Sequence, residues 1–346
     1  MRPAPARVAE LGIRDEDYTA FVGRHEGATP FHLPSWSEVI ASSYGFAPSV
    51  LCLRDEDGQI CAASPGVQVG GRLRGRRWVS LPFTDACPPL AADAASAEAF
   101  AAELDRHRQG RGLKGIEIRG ELSGSAGRRQ VVGYRHVIPL ASDEQAVFRR
   151  LRERARRAVR RAGRAGLVVR RERDLSSVHS GFWRLHCATR RKLGVPVQPR
   201  AFLDAIWQRM VECDCGYVLS AYQDSRPVAA AVFLEHGRTV VYKFSASDPD
   251  RTRLGGPSAV IWEGIRIACE KGQAHLDLGR TELAHKGLRY FKQGFGAEET
   301  TLTYSYFGKG APVESRGSEA TVGQVIQRSP TIVARTIGRV AYRWTA

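Results

Sequence analysis

Hydrophobic and polar residues follow the same order of patterns in two separate parts of the chain. In each part, extended apolar segments separated by turn residues predict three strands, an apolar helix follows, and a further short strand comes after the helix. The first copy consists of the strands within 49–81, the helix 94–108 and the strand 115–119, and the second of the strands within 217–245, the helix 258–271 and the strand 274–278. We interpret this order as an internal duplication. Its length implies two similar α+β domains side by side.

The segment that joins the two copies has a different character. After a predicted strand at 131–140, apolar residues recur at the three- and four-residue spacing of an amphipathic helix over 144–165. Nine arginines cover the other faces of this helix, between Arg149 and Arg164. Two more helical patterns, 182–189 and 202–210, are separated by a break at Leu193-Gly-Val-Pro196.

Length and composition agree with a globular chain of two domains. The 346 residues are 43% hydrophobic, which is enough to fill two cores. We predict a first domain at 1–145, a second at 146–312 that begins with the basic helix, and a basic amphipathic helix at 313–346. That last helix could pack on its own domain or dock on a membrane face.

Net charge and cysteine content indicate which binding partners, thiol state and location to expect. The formal net charge of +16 favours an anionic partner, such as RNA, a nucleotide-linked substrate or the inner membrane surface, without choosing among them. The seven cysteines are an odd number and lack a metal or redox spacing, so we expect reduced thiols and no metal. There is no signal-peptide pattern and no apolar run long enough to span a bilayer, so we expect a cytoplasmic location, peripheral to the inner membrane if the basic surfaces bind it.

Two neighbouring segments predict a functional site near the end of the second copy. Residues 276–281 read Leu-Asp-Leu-Gly-Arg-Thr, where Gly279 is expected to turn the backbone at the strand end and place Asp277, Arg280 and Thr281 at the mouth of a site. Residues 291–296 read Phe-Lys-Gln-Gly-Phe-Gly, so that Lys292 lies on a loop between two rings and could stabilise a developing negative charge. The alternative is a turn cap, two core rings and a surface lysine.

These residues permit acyl transfer without a nucleophilic side chain. Attack of a neutral amine on an ester or thioester needs a donor pocket and positive charge near the tetrahedral oxyanion. The histidines near turns are not accompanied by a serine flanked by glycines, as in a nucleophile elbow. The sequence therefore predicts no Ser/His/Asp arrangement. The glycine-rich segment 253–258 precedes a helix and fits either a plain helix start or a phosphate site.

The chain resembles the FemAB-like aminoacyltransferases and their relatives in the acetyltransferase (GNAT) superfamily, over about residues 30–310. The segments that carry the resemblance are 80–83 with Asp85, 161–167, 193–196, Tyr242–Ser247, 277–281 and 291–296. The resemblance implies two tandem GNAT-like domains, each a mostly antiparallel mixed sheet with flanking helices. It also implies transfer of an aminoacyl or acyl group to an amine, such as that of a nucleotide- or lipid-linked cell-wall precursor peptide, with aminoacyl-tRNA as donor and no tightly bound cofactor.

From the residues and the resemblance together we assign candidate roles. Lys292, Asp277 and Arg280 are the candidate catalytic residues, and Lys292 is the family position carried over most directly. The candidate substrate-binding residues are Tyr242, Ser247, Thr281, Phe291, Asp85, Arg156 and Arg160. Two alternatives stay open: an acyl-coenzyme A dependent N-acyltransferase of polysaccharide or secondary-metabolite biosynthesis, and a non-catalytic basic module that binds RNA or membrane.

Overall fold

The computed structural model describes residues 7–71, 75–124 and 127–309, and these residues fall into two compact units. One unit contains the described residues up to Gly133 together with 301–309, and the other contains 134–300. The division after Gly133 lies before the predicted boundary after 145, and the predicted boundary after 312 lies outside the described residues. Residues 305–308 return to pair with 115–118 of the first unit, and a pairing between such distant segments leaves no local pattern. The predicted helix at 313–346 lies outside the described residues.

The first unit is a mixed sheet with helices packed on it. Its strands lie in the order β1-β2-β3-β4-β6 followed by the returning part of β13, and β4 and β6 are the parallel neighbours. Close packing requires glycine at position 66, because a Cβ on Gly66 would lie 2.3 Å from the Trp78 ring. The elements are β1 (Ala9–Gly12), α1 (Glu16–Arg24), α2 (Pro34–Tyr44), β2 (Ala47–Arg54), β3 (Ile60–Gly71), β4 (Gly75–Val79), β5 (Leu90–Ala91), α3 (Ala94–Gly110), β6 (Gly115–Ile118), the start of β7 (Arg128–Pro139) and most of β13 (Glu298–Gly308).

The second unit repeats this plan. Its strands lie in the order β7-β12-β11-β10-β9-β8, again with one parallel pair, β11 and β12. The elements are α4 (Glu144–Arg150), α5 (Glu153–Arg164), β8 (Val168–Arg171), α6 (Leu175–Val178), α7 (Arg184–Leu193), α8 (Arg200–Ile206), β9 (Gly216–Gln223), β10 (Arg226–His236), β11 (Thr239–Ser247), α9 (Gly256–Glu270), β12 (His275–Thr281) and α10 (Lys286–Gln293). Two five-residue π-helical segments, His179–Trp183 and Trp207–Val211, precede α7 and follow α8.

The predicted fold class is confirmed. Each unit joins its parallel strands through an intervening helix, α3 in the first unit and α9 in the second, which is the duplicated order seen in the sequence. In the second unit, buried residues of α9 such as Ile261 and Ile265 form one core with Val240 and Leu276 of the parallel strands. Among the described residues, the helices are too short or too polar to cross a bilayer.

Three local expectations were wrong. The helix predicted over 144–165 is two helices, because Leu151 and Arg152 are extended and the Arg152 amide donates to the carbonyl of Gly294 at 2.9 Å. The strand expected to end at Leu278 continues to Thr281. The segment with Lys292 is the last turn of a helix, α10, where a loop was expected.

Candidate functional site

The parallel strands β11 and β12 separate in the middle of the second unit. They pair over three positions, 239 with 275, 240 with 276 and 241 with 277. Beyond that point β11 follows β10 and β12 follows β7. Two strands that part in this way leave room between them at the point where the sequence analysis placed the site.

Each strand carries a β-bulge where the two part. In β11, Val232 lies opposite Phe244 and Phe233 opposite Tyr242, which leaves Lys243 as the extra residue. In β12, Asp277 pairs with Val137 and Arg280 with Arg135, so that two residues of β12 face one residue of β7. Bulges re-aim side chains and are frequent beside active sites.

The bulge in β12 is held by two of the three residues predicted to be catalytic. Gly279 has φ +73°, which favours glycine. Asp277 accepts a hydrogen bond from the Gly279 amide at 2.7 Å through Oδ1 and one from Nε of Arg135 at 2.7 Å through Oδ2. From α10, Nζ of Lys292 donates to the carbonyl oxygens of Gly279 at 2.9 Å and Arg280 at 3.0 Å. Both charged side chains are buried, and their hydrogen bonds hold the backbone of the bulge in place.

This geometry differs from the mouth that the sequence suggested. Asp277 and Thr281 are buried instead of standing at a rim. Arg280 is half-buried, with a guanidinium nitrogen 4.0 Å from Glu282. The Lys292 ammonium is directed at backbone carbonyls of β12.

A charged network behind β12 was missed by the sequence analysis. His136 of β7 is fully buried, with Nε2 2.9 Å from Glu299 and Nδ1 3.5 Å from the hydroxyl of Thr281. Glu299 also accepts two hydrogen bonds from Arg289, which holds the pKa of this carboxyl below its usual value. Burial, reinforced by the nearby Lys292, lowers the pKa of His136. These residues come from β7, α10 and β13, so no local spacing could have revealed them.

A cleft of about 320 Å³ lies between α5, α10 and the start of α9. Arg154 and Arg161 of α5 line it, opposite Gly255 and Ser258 at the N-terminus of α9. Gly255 has φ +84°, and a Cβ there would lie 2.6 Å from the carbonyl of Ala158, so glycine permits the close approach of the two elements. A helix N-terminus with two arginines among the residues lining the same cleft suits an anionic group.

The remaining candidates are spread over both units. Phe291 lines the cleft and packs edge-on against Phe295. Tyr242 packs against Phe233, and burial raises the pKa of its hydroxyl to about 12. The Ser247 backbone exchanges hydrogen bonds with the Thr189 hydroxyl.

Three further candidates lie away from the parted strands. Asp85 belongs to the first unit, where its carbonyl accepts from Tyr304. Arg156 and Arg160 lie on α5 beside the arginines that line the cleft: Arg156 donates to the Arg149 carbonyl, and Arg160 lies over the Phe148 ring.

Comparison with known proteins supports the fold and the class of chemistry. The family model of the acetyltransferase (GNAT) domain matches residues 149–290. The crystal structure of FemX is similar with a TM-score of 0.69 at 14% identity, covering 86% of this chain and 96% of that one. The C-terminal domain of a putative lysylphosphatidylglycerol synthetase from Agrobacterium fabrum gives a TM-score of 0.55 at 14% identity, covering 89% and 95%.

A third similar structure is L-PGS from Bacillus licheniformis, with a TM-score of 0.54 at 12% identity, covering 92% of this chain and 99% of that one. The comparison with curated protein sequences found no match. The matched GNAT model spans α5 to β12 and most of α10, including the parted strands and the bulge in β12. Residues 149–290 therefore form an acetyltransferase (GNAT) domain, and the protein is an acyltransferase.

Proposed function

We propose that the protein transfers an aminoacyl or acyl group from an activated donor to an amine acceptor at the parted ends of β11 and β12. The observation that carries this proposal is the pair of bulged strands that separate after Val241 and Asp277. Direct attack by an amine needs the donor carbonyl and the amine to be held together, with fixed dipoles and charge near the oxygen. A strand opening lined by bulged backbone supplies such fixed dipoles.

In this proposal, Lys292 acts on the reaction by fixing the backbone of the bulge and by adding positive charge beside it. Its two hydrogen bonds to the Gly279 and Arg280 carbonyls orient the peptide groups of β12 at the opening. Asp277 and Arg280 belong to the acceptor end. The contacts of Asp277 with Gly279 and Arg135 make it a group that positions the acceptor end, since both carboxylate oxygens are engaged.

The cleft beside α5 is the proposed binding place of the donor. Arg154, Arg161 and the N-terminus of α9 suit phosphate groups, which both aminoacyl-tRNA and acyl-coenzyme A carry. We favour aminoacyl-tRNA because the arginine face of α5 continues beyond the cleft, with Arg157, Arg160 and Arg164 exposed. The diphosphate of acyl-coenzyme A would fit the compact cleft alone, and this is the second candidate.

For the acceptor, we propose the amine of a nucleotide- or lipid-linked cell-wall precursor peptide. The similarity to FemX and to a protein named lysylphosphatidylglycerol synthetase supports an aminoacyl product on a cell-wall or lipid acceptor. A cytoplasmic location at the inner membrane surface would fit such an acceptor and the charge of +16.

The test is a transfer assay with each donor class. Labelled aminoacyl-tRNA and labelled acyl-coenzyme A are incubated separately with the protein and with peptides that end in a free amine. We expect label on the peptide with aminoacyl-tRNA. Label from acyl-coenzyme A alone would replace the first candidate by the second, and no transfer from either donor would contradict the proposal.

A further inference from the structure

A small chamber lies between α7, α8 and β11 in the second unit. Its volume is about 10 Å³, and its walls are almost entirely apolar. The bulge at Lys243 turns Phe244 toward it, since Tyr242 packs instead against Phe233. The residues around the chamber include Phe182, Trp183, His186, Gln198, Phe202 and Phe244.

One residue that lines this chamber has a polar atom without a partner among the described residues. His186 is 5% exposed, and its Nε2 lies 2.8 Å from Oε1 of Gln198. An amide oxygen accepts, so Nε2 carries the proton and Nδ1 is left as an acceptor. Among the described residues, no group donates to Nδ1. A buried acceptor without a donor is unfavourable, which indicates that a ligand group supplies the missing hydrogen bond.

The surroundings define the chemistry of that group. The ring of His186 stacks on Phe182, with centroids 5.3 Å apart, and Phe244 stands edge-on to it. Arg190 lies close enough to disfavour a positive charge on His186, and Nζ of Lys243 lies 5.1 Å from the Phe244 centroid. Two cations nearby disfavour an ammonium ligand. A volume of this size holds about one water-sized group.

We propose that the chamber is a recognition pocket for a single neutral hydroxyl group of a substrate, which donates to Nδ1 of His186. Phe244, which lines the chamber, lies three residues beyond Val241, the last residue of β11 that pairs with β12. The proposal rests on the proposed transfer function for the origin of the hydroxyl, which is carried either by the acyl group or by the amine acceptor.

The first test uses binding alone, so it is independent of any transfer activity. Methanol is titrated into the full chain, and the imidazole nitrogens are followed by ¹⁵N NMR. We expect a saturable shift of His186 Nδ1 with a Kd of about 10 mM or weaker, because a ligand of two heavy atoms has little binding energy. His179 serves as an internal reference, since its ring nitrogens contact Asp204 and Arg200. Methylammonium should leave the Nδ1 signal unchanged.

An unchanged Nδ1 signal with methanol would overturn the proposal, because the chamber would then hold a trapped water only. An equal response to methylammonium would overturn the assignment of a neutral group. Gln198→Met is the variant for this readout, because it removes the acceptor that fixes the proton on Nε2 while keeping the imidazole ring, and it should weaken methanol binding.

The second test identifies which substrate carries the hydroxyl. Seryl and alanyl donors are compared, and so are ethanolamine and ethylamine as acceptors. One pair should differ by at least tenfold in kcat/KM, and His186→Leu should remove that difference. Equal kcat/KM within both pairs in the wild type would contradict recognition of a substrate hydroxyl. Absence of transfer with every pair would count against the proposed function, while the methanol result would still decide the pocket.

Discussion

At the scale of the residue, Lys292 is the side chain on which the proposed transfer reaction depends most. Its ammonium is buried and fixes the backbone of the β12 bulge. We expect Lys292→Met to lower kcat by about 10²–10³, the usual effect of losing a preorganised charge or donor. Lys286→Met is the matched control, because Lys286 is exposed at the start of the same helix. Activity of folded Lys292→Met within threefold of wild type would contradict this role.

Asp277 is expected to affect both stability and acceptor use. Asp277→Asn removes the charge that pairs with Arg135 and should lower the free energy of unfolding by about 1–3 kcal/mol. It should also lower kcat/KM for the amine acceptor, while the Kd of the donor stays nearly constant. Chemical denaturation and steady-state kinetics measure the two effects. Full turnover at low temperature would show that Asp277 acts on stability alone.

His186 should make stability depend on pH. Burial and Arg190 lower its pKa to about 4, from about 6.5 in the unfolded chain. As pH falls through this window, the unfolded state takes up the proton first, so the free energy of unfolding decreases by about 3 kcal/mol between pH 7 and pH 4. His186→Phe should lose less stability over the same range. Parallel pH profiles of the two proteins would contradict the assignment.

At the scale of the element, the arginines of α5 fall into two groups, those that line the cleft and those that do not. Arg154 and Arg161 line the cleft, whereas Arg156 and Arg160 lie on other parts of the helix. We expect Arg154→Gln with Arg161→Gln to weaken donor binding by about 10- to 100-fold, because two charge-assisted hydrogen bonds are lost. The pair Arg156→Gln and Arg160→Gln should have a smaller effect. Equal losses of affinity from the two pairs would contradict a defined donor position.

The same helix gives a salt dependence that separates the donors. If a single-stranded RNA end binds along α5, the logarithm of affinity should fall with the logarithm of salt concentration by ~0.7 per phosphate contact. Replacing Arg156, Arg157 and Arg160 together by Gln should make this slope shallower. An unchanged slope and affinity in the triple variant would exclude RNA contact by this face.

Elements were predictable where their pattern is local. The meander 217–245 and the helix 258–271 were recognisable because alternation and amphipathic spacing each lie within one segment. The split at Leu151 and Arg152 was not, since it follows from a hydrogen bond to the distant Gly294. The bulge at Lys243 was equally hidden, because it is defined by the register with β10.

At the scale of the whole molecule, the sequence revealed the duplication but not how the chain is distributed over the two units. Matching orders of strands and helix predicted two GNAT-like domains, and both units have that plan. The return of 301–309 to the first unit depends on a long-range pairing. The sequence predicts a candidate site near β12, whereas His136 and Glu299 became visible only through the fold.

The proposed function places acyl transfer at the parted strands of the second unit. Single-turnover transfer from labelled aminoacyl-tRNA to an amine-ended peptide, measured for wild type, Lys292→Met and Lys286→Met, tests it most directly. We expect rapid transfer by wild type and Lys286→Met and a rate about 10²–10³ lower for Lys292→Met with unchanged donor affinity. Equal transfer rates for the three proteins, or none from any activated donor, would contradict it.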